Sequence, residues 1–341
     1  MVVFIHLSDI HIKSASDPIL AKANEISATT FSYLPSASHV FIIVSGDVAF
    51  SGQASEYALA KQFLVQLREC LKAESALPVT FVIAPGNHDC DFKQNSGARK
   101  LLLKQIADSD LSEVDDSVIQ TCTAVQSEFF RFRDLMEQPE NVDDDKLWRT
   151  QHFQIGDRTI LIDSLNLSWS SQLDEEPGRI YFPVDRYDYK KQNIAANVRI
   201  LVMHHPLNWF GQSVYRPFRS FVRQLADILV TGHEHQGNVG INDDAESEKN
   251  TYMEGCVLQP DNKKLTNSSF NVISIDLESS QFSATKFTGM ASDMNAQRKD
   301  HGRIIANCPL RVKVDLASIR PSRKLWTIQV HFWFARGKIS R

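Results

Sequence analysis

The sequence of 341 residues lacks the features of secreted, membrane-spanning and low-complexity proteins. Its first residues, VVFIHLSD, have no charged segment, long apolar core or cleavage site typical of a secretory signal. No apolar run is long enough to cross a bilayer, and no repeat or biased tract is present. With 43% hydrophobic and 23% charged residues, the composition predicts a globular protein of one or two domains, one being favoured, and no membrane partner.

Cysteine is scarce, and its spacing matches none of the usual cysteine sites. The five cysteines are odd in number and scattered, without the paired spacing of a zinc knuckle. Such usage is typical of reduced thiols, so we expect a cytoplasmic location. Cys90 lies beside a cluster of polar residues, but no cysteine–histidine pattern surrounds it, and a passive thiol is the favoured interpretation.

Charge is distributed unevenly along the chain, although the net charge is only −4. Residues 298–341 contain eleven Lys or Arg against two Asp, and subtracting this +9 from −4 leaves −13 for the preceding residues. A basic tail on an acidic body permits a nucleic-acid contact. Charge clusters alone are weak evidence, so we favour a tail that packs on its own domain or contacts another subunit or partner protein. We divide the chain into a domain over residues 1–290 and a basic extension over residues 291–341.

Polar side chains that can bind metals follow five apolar, strand-like segments. These segments end in SDIH (8–11), SGD (45–47), GNHD (86–89), HHP (204–206) and TGHEH (231–235). Because open α/β sheets place their sites at the carboxyl ends of strands, we expect the five motifs to meet at one edge.

Seven residues of these motifs offer oxygen or nitrogen ligands. Asp9 and His11 are separated by one residue and, in an extended strand end, would point to the same side. Asp47 offers two oxygens that can bridge two cations, and Gly46 lets the backbone approach closely. A lone histidine is more often a core or surface residue, but seven ligands at five strand ends predict a metal site. They are Asp9, His11, Asp47, Asn87, His204, His233 and His235.

The segments between the motifs predict the scaffold. They predict a helix over 54–73 and two helices within 97–137 that are separated near 108–110. A hairpin over 147–163 is followed by a polar loop over the site mouth at 165–185. Strands are predicted over 251–259, 270–277 and 281–287.

The order D-x-H, G-D, G-N-H-D, H-H-P and G-H-x-H, from Asp9 to His235, resembles the calcineurin-like metallophosphoesterase superfamily. That superfamily includes purple acid phosphatases, cyclic-nucleotide phosphodiesterases and the nuclease of the double-strand-break repair complex. The resemblance implies an α/β fold in the form of a four-layer α/β/β/α sandwich. Its two mixed sheets would place a dinuclear metal site at the carboxyl ends of their strands.

The resemblance also implies which residue binds which metal ion. Asp9, His11 and His235 would bind one ion, Asn87, His204 and His233 would bind the other, and Asp47 would bridge them. Oxygen and imidazole ligands without thiolate suit two divalent or trivalent transition-metal ions, of which Mn is the first choice and Fe or Zn are alternatives.

Three further residues of the motifs have other predicted roles, those of His88 and His205 from the resemblance and that of Asp89 as the favoured interpretation of its position. His88 would be the catalytic residue that contacts the substrate phosphate and protonates or stabilises the leaving oxygen. Asp89 would orient the turn or an imidazole without touching substrate, and His205 would fill a variable place.

The implied activity is that of a metal-dependent phosphoric diester hydrolase. It would hydrolyse nucleotide-type phosphodiesters by means of a hydroxide that bridges the two ions. Asp163-Ser164 and Gly178 are similar to a pattern of the cyclic-nucleotide and glycerophosphodiester branch, although a plain strand end has the same residues.

Two other functions remain open. A DNA nuclease, which could be a module of a larger assembly, is supported by the basic tail and opposed by the acidic body without a basic stripe near the motifs. An inactive protein-binding scaffold, like the retromer subunit of the same fold, is disfavoured by the complete ligand set and by His88.

Overall fold

A computed structural model describes most of the chain. The described residues are 1–108, 111, 114–137, 142–191, 196–235, 237–242, 250–279 and 281–289, with four short strands between residues 311 and 330. Within them, the α-helices are α1 (Ala23–Thr30), α2 (Ala54–Ser75), α3 (Gly97–Asp108), α4 (Asp116–Thr123), α5 (Ser127–Glu137) and α6 (Gln212–Leu225). None of the helices in these ranges is long and apolar enough to cross a membrane.

The strands follow in the same order. They are β1 (Val2–Leu7), β2 (His39–Ser45), β3 (Val79–Ala84), β4 (Val142–Asp144), β5 (Trp148–Ile155), β6 (Arg158–Leu165), β7 (Val198–Val202), β8 (Ile228–Thr231), β9 (Val239–Asn242), β10 (Asn250–Glu254), β11 (Ser269–Asp276), β12 (Gln281–Thr288), β13 (Arg311–Asp315), β14 (Ile319–Arg320), β15 (Arg323–Lys324) and β16 (Thr327–Val330).

Two seven-stranded mixed sheets form the centre of the fold. The first has the order β16-β13-β12-β11-β1-β2-β3, in which β1, β2 and β3 are parallel and β11 pairs antiparallel with β1. The second has the order β4-β5-β6-β7-β8-β10-β9, in which β6, β7, β8 and β10 are parallel. Strands β14 and β15 form a separate pair. The boundary at residue 290 stays a prediction.

The two sheets pack face to face, and helices cover the outer face of each sheet. Side chains that alternate along the strands fill both kinds of interface. Along β1, Val3, Ile5 and Leu7 pack with α1, α2 and α5 in one apolar cluster, whereas Val2 and Phe4 belong to the cluster between the sheets. A third cluster joins α3, α4 and α6 to the other face of the second sheet. Because successive strand residues point to opposite faces, each central strand buries both of its faces. The predicted four-layer α/β/β/α sandwich is confirmed.

Helix α2 and the hairpin of β5 and β6 agree with the sequence predictions, but the prediction of two helices within 97–137 is wrong. Helix α3 ends at Asp108 as expected, and a second break separates α4 from α5 at the 3-10 turn Ala124–Gln126. At the end of α4, the Thr123 hydroxyl donates to the Ile119 carbonyl at 2.8 Å. Threonine hydroxyls that bond back to the helix weaken its continuation, which is consistent with this break.

The predicted polar loop at 165–185 has an apolar core instead. Strand β6 continues to Leu165, and the side chains of Trp169, Ile180 and Phe182 are buried in the cluster of the second sheet. The Trp169 indole also donates to the carbonyl of Tyr181 at 2.9 Å. The loop is therefore anchored at both ends by apolar side chains.

The predicted strand over 251–259 ends early, because β10 stops at Glu254. Gly255 follows it in close contact with Ser8, and a Cβ at this glycine would lie 2.6 Å from the Ser8 Cβ. Val257 forms only an isolated bridge with Ser8. The chain passes here from β10 of the second sheet to the end of β1 in the first sheet, and the strand ends at this point.

Replacing the buried arginine of α3 is expected to destabilise the protein. Arg99 is 1% exposed and donates to the carbonyls of Cys122, Trp169 and Ser171 at 2.8, 3.0 and 2.8 Å. Arg99→Met leaves these carbonyls without a donor, and the free energy of unfolding should fall by roughly 3 kcal/mol in urea titrations. Lys100→Met, at the exposed neighbouring position, is the control. Equal stability of the two variants would show that the arginine does not anchor the loop.

Candidate metal centre

The five sequence motifs meet where strand ends of the two sheets adjoin. The motifs after β1, β2 and β3 come from the first sheet, and those after β7 and β8 come from the second. Backbone hydrogen bonds join neighbouring motifs, including His11 N to Asp47 O at 2.9 Å and Gly232 N to His204 O at 2.8 Å. The amide of His233 donates to Asp9 Oδ2 at 3.3 Å and so connects the two sheets. The structure thus brings together in one site predicted residues that lie up to 226 positions apart in the sequence, from Asp9 to His235.

The backbone at these motifs is left-handed rather than extended. Asp9, His11, Asp47, His233 and His235 have φ angles of 54°, 50°, 56°, 73° and 56°. The expectation that Asp9 and His11 lie in an extended strand end is therefore wrong. Each has a left-handed backbone conformation that residues other than glycine rarely adopt. Such conformations persist only where surrounding contacts fix them, and they concentrate at functional sites.

Asp47 lies at the centre of the predicted ligands. Its Oδ2 atom is 3.2 Å from His11 Nε2 and 3.2 Å from His204 Nε2. Its Oδ1 atom accepts a hydrogen bond from the His88 amide at 2.8 Å. One carboxylate therefore contacts residues from three motifs, as a bridging position requires.

The other predicted ligands form a group on each side of Asp47. On one side, Asp9 Oδ1 is 3.3 Å from His235 Nε2, and ligand atoms of Asp9, His11 and His235 lie within 4.8 Å of one another. On the other side, His204 Nε2 is 3.1 Å from Asn87 Oδ1 and 3.2 Å from His233 Nδ1. The assignment of the two groups to two metal ions stays a prediction.

Backbone carbonyls determine which imidazole nitrogen faces this centre. His204 Nδ1 is 2.8 Å from the Ser45 carbonyl, and His88 Nδ1 is 2.8 Å from the Phe50 carbonyl. A carbonyl can only accept, so in both rings Nδ1 carries a proton. In the neutral form of each ring, Nε2 then has the free lone pair. A carbonyl partner of this kind is the usual way to fix a ligand histidine.

Electrostatics at the centre favour a positive charge between the carboxylates. Burial raises the pKa of Asp47, but His204 and His11 hold this pKa well below its usual range. Burial lowers the pKa of His204, but Asp47 overcomes this effect and raises it to about 10. For His233, burial and the adjacent His205 and His204 lower the pKa to about 2, which keeps this imidazole neutral and able to ligate.

The side chains present fit transition-metal ions. His11 Nδ1 is buried and makes no hydrogen bond to any described residue, although buried polar atoms are rarely left unpaired. Two carboxylates, one amide and four imidazoles supply only oxygen and nitrogen, the donors expected for Mn, Fe or Zn. Cys90 is not among the described side chains whose ligand atoms converge here, and burial raises the pKa of its thiol.

Asp89 supports the turn that carries Asn87 and His88. Its carboxylate is fully buried and accepts from the amides of Ala49 and Gly86 at 3.0 and 2.9 Å. It also accepts from the Tyr57 hydroxyl of α2 at 2.9 Å. These contacts fit the predicted orienting role, since they tie the turn after β3 to the segment after β2.

Asp163, in contrast, is part of the scaffold of the second sheet. It accepts hydrogen bonds from Trp148 Nε1, Thr150 Oγ1 and Arg199 Nε at 2.9, 2.7 and 2.6 Å. Its carboxylate is fully buried and its partners belong to β5 and β7. The pattern of Asp163-Ser164 is therefore that of a structural strand end and gives no information about substrate.

Sequence reasoning missed a group of side chains beside His233. His205 is fully buried, with Nε2 3.0 Å from Glu175 Oε2. The ring of Trp209 is 4.1 Å from the ring of His233, and its Nε1 donates to Glu234 at 2.6 Å. Only the charge of Glu234 inside the motif G-H-E-H could have drawn attention to this group. Glu175 lies in a loop thirty positions before His205, where spacing gives no signal.

Comparisons with known proteins found one matching family and several similar solved structures. The sequence profile of the family described as calcineurin-like phosphoesterase matches residues 2–237. Among solved structures, the phosphopantetheinyl hydrolase of Mycobacterium tuberculosis is 15% identical, with a TM-score of 0.34, over 74% of this chain and 88% of that protein. Vps29 of Entamoeba histolytica, solved with zinc, is 11% identical, with a TM-score of 0.31, over 92% of this chain and 98% of that protein. The search of curated proteins found no match.

A methyl group at Gly86 is expected to disrupt the centre. A Cβ there would lie 2.1 Å from Asp47 Oδ1 and 2.5 Å from the Asp47 amide, so the central carboxylate would have to move. Gly86→Ala should therefore lower bound metal well below that of the parent protein in elemental analysis after Mn²⁺ loading. Gly97→Ala, where nothing lies within 4 Å of the added Cβ, is the control. Full metal content in Gly86→Ala would contradict the central role of Asp47.

Proposed function

Because the chain belongs to the calcineurin-like phosphoesterase family, we propose that it is a metal-dependent phosphoric diester hydrolase that acts at the candidate metal centre. The observation that carries this proposal is the convergence of seven side chains with oxygen or nitrogen donors, with Asp47 at their centre and its Oδ2 3.2 Å from both His11 and His204. Two bound metal ions would supply an activated water as nucleophile and neutralise charge on the phosphoryl oxygens. We propose Mn as the first ion to test.

The protein's own residues would hold these ions and position the phosphate. Asp9, His11 and His235 form the proposed binding group of one ion, and Asn87, His204 and His233 form that of the other, with Asp47 between them. The buried serines support this arrangement, since Ser8 Oγ donates to Asp9 Oδ2 at 2.5 Å and the Ser45 carbonyl accepts from His204. The ligands are therefore held before any ion arrives.

His88 is the proposed catalytic residue. Its amide bonds to Asp47 and its Nδ1 donates to the Phe50 carbonyl, so both its backbone and its ring are fixed beside the centre. Its ring lies 4.7 Å from that of His11. When protonated, Nε2 can donate a proton or a hydrogen bond to the leaving oxygen of the substrate. The ring is half-buried, so part of it is accessible at the surface of the site.

Charges around the centre favour a diester over a monoester. A monoester carries a second negative charge that needs its own partner. One lysine is near: Lys13 Nζ is 4.1 Å from the centroid of Phe50, whose ring is 5.4 Å from that of His88. The opposite side presents two carboxylates, Glu175 and Glu234, which would repel additional negative charge. A diester, with a single negative charge, fits this distribution better.

The bridging and catalytic positions can be separated by mutation. Asp47→Asn should weaken the binding of both metal ions, since this carboxylate faces both groups. His88→Ala should bind the parent amount of Mn²⁺ and lose turnover by about 10²-fold. Activity lost in a chelator should return with Mn²⁺ in the parent protein, and metal content and kcat are measured for each variant. Near-normal turnover of His88→Ala on a substrate with a poor leaving group would contradict its assignment. A folded parent protein that takes up no metal would support the scaffold function.

Substrate preference is the sharpest test of the proposed activity. With Mn²⁺ present, kcat/KM for bis(p-nitrophenyl) phosphate should exceed that for p-nitrophenyl phosphate, because Glu175 and Glu234 would repel the second charge of the monoester, whereas Lys13 is held over the ring of Phe50. Preference for the monoester would overturn the diesterase proposal and leave the broader phosphoesterase activity standing.

The nuclease alternative rests on the basic tail and can be tested with the same preparation. A tail of formal charge +9 that holds the phosphate backbone should make cleavage of single-stranded DNA fall steeply with salt. Hydrolysis of the small diester should change little over the same range. Absence of DNA cleavage would exclude the nuclease function. Cleavage as insensitive to salt as hydrolysis of the small diester would exclude a role of the tail in holding the DNA backbone.

A further inference from the structure

The ring of His233 is enclosed by two other rings, each of which is held by a carboxylate. The His205 ring centroid is 4.6 Å from that of His233, and the Trp209 centroid is 4.1 Å from it. His205 bonds to Glu175, and Trp209 bonds to Glu234. We call these four residues, His205, Trp209, Glu175 and Glu234, the His233 clamp.

Both carboxylates of the clamp are firmly attached to the scaffold. The side chain of Glu175 is 10% exposed, and its loop is fixed by backbone bonds from Gly178 and Ile180 to the Trp209 carbonyl at 3.0 and 3.1 Å. Glu234 accepts from Asn208 at 3.2 Å as well as from Trp209. The loop that carries Glu175 and the turn that carries Trp209 therefore form one unit beside His233.

The backbone of His233 is anchored by its amide, which donates to Asp9 Oδ2 at 3.3 Å, but this bond does not fix the orientation of the ring. His233 has a φ angle of 73°, and its Nδ1 atom is the one 3.2 Å from His204 Nε2. In contrast with His204 and His88, the described contacts of His233 include no carbonyl that fixes the ring orientation. Orientation must then come from the two enclosing rings, since a ligand imidazole is normally held by a partner outside the metal.

We propose that Glu175 and Glu234 are positioning residues that fix the His233 imidazole, through His205 and Trp209, for the metal ion bound with Asn87 and His204. This inference depends on the proposed function, because it assumes that His233 is a ligand. Neither carboxylate acts on the substrate through this role. Loss of either one should weaken one metal ion selectively and leave the ion near Asp9 and His11 in place.

Removing each carboxylate tests the clamp by metal affinity rather than by activity alone. In Mn²⁺ titrations followed by electron paramagnetic resonance, Glu175→Ala and Glu234→Ala should bind one of two ions 10- to 100-fold more weakly than the parent protein. Glu175→Gln and Glu234→Gln keep an acceptor oxygen and should recover most of this affinity. Excess Mn²⁺ should restore kcat in the alanine variants. Glu176→Ala, on the same loop and 74% exposed, is the matched control.

The outcomes separate the clamp from the proposed function. If the parent protein binds two ions and both alanine variants bind them with parent affinity, the clamp is wrong and the metal centre stands. If the parent protein binds no Mn²⁺, the proposed function itself fails. If Glu175→Ala does not fold, Glu234→Ala decides, since Glu234 lies at the surface turn and its removal leaves the loop anchors intact. Equal weakening by Gln and Ala would show that charge, and not ring orientation, is the cause.

Discussion

The buried carboxylate of Asp47 is the constraint on which the rest of the site depends. It is 2% exposed and faces His11 after β1, His204 after β7 and the amide of His88 after β3. A buried negative charge is costly unless other groups pair with it. Each partner is therefore tied to a single place, and the two sheets are held in one relative position by a polar contact rather than by apolar packing alone.

This constraint explains why the backbone around the centre departs from ordinary strand geometry. The chain must turn sharply where strands finish beside one carboxylate, and five of the seven candidate ligands, Asp47 among them, have positive φ. Close approach is the second consequence. A Cβ at Gly46 would lie 2.4 Å from the His204 ring, and one at Gly232 would lie 2.3 Å from Ser8. The glycines of the G-D and G-H motifs thus serve the packing of the centre as much as the turn.

Residues that lie directly after a strand could be predicted from the sequence. Most features located elsewhere in the chain could not. All seven ligand candidates follow apolar segments that ran through the core, so their convergence followed from the topology of α/β sheets. The four-layer fold came from the resemblance of the same motifs. Local pattern could not reveal the break between α4 and α5, since both halves have helical periodicity. Nor could it separate Asp163, a structural carboxylate at a strand end, from the carboxylates that face the centre.

The contacts of His233 show why the residues that sequence reasoning missed belong to loops. Glu175 reaches His205 only because Trp169, Ile180 and Phe182 bury both ends of its loop in the core of the second sheet. Composition described that loop as polar, but a few apolar anchors decide where its polar residues lie. A ligand that belongs to a strand end is supplied by the sheet, whereas the groups that orient this ligand come from loops packed against the sheet. The precision of such a centre therefore depends on tertiary contacts that no short motif records.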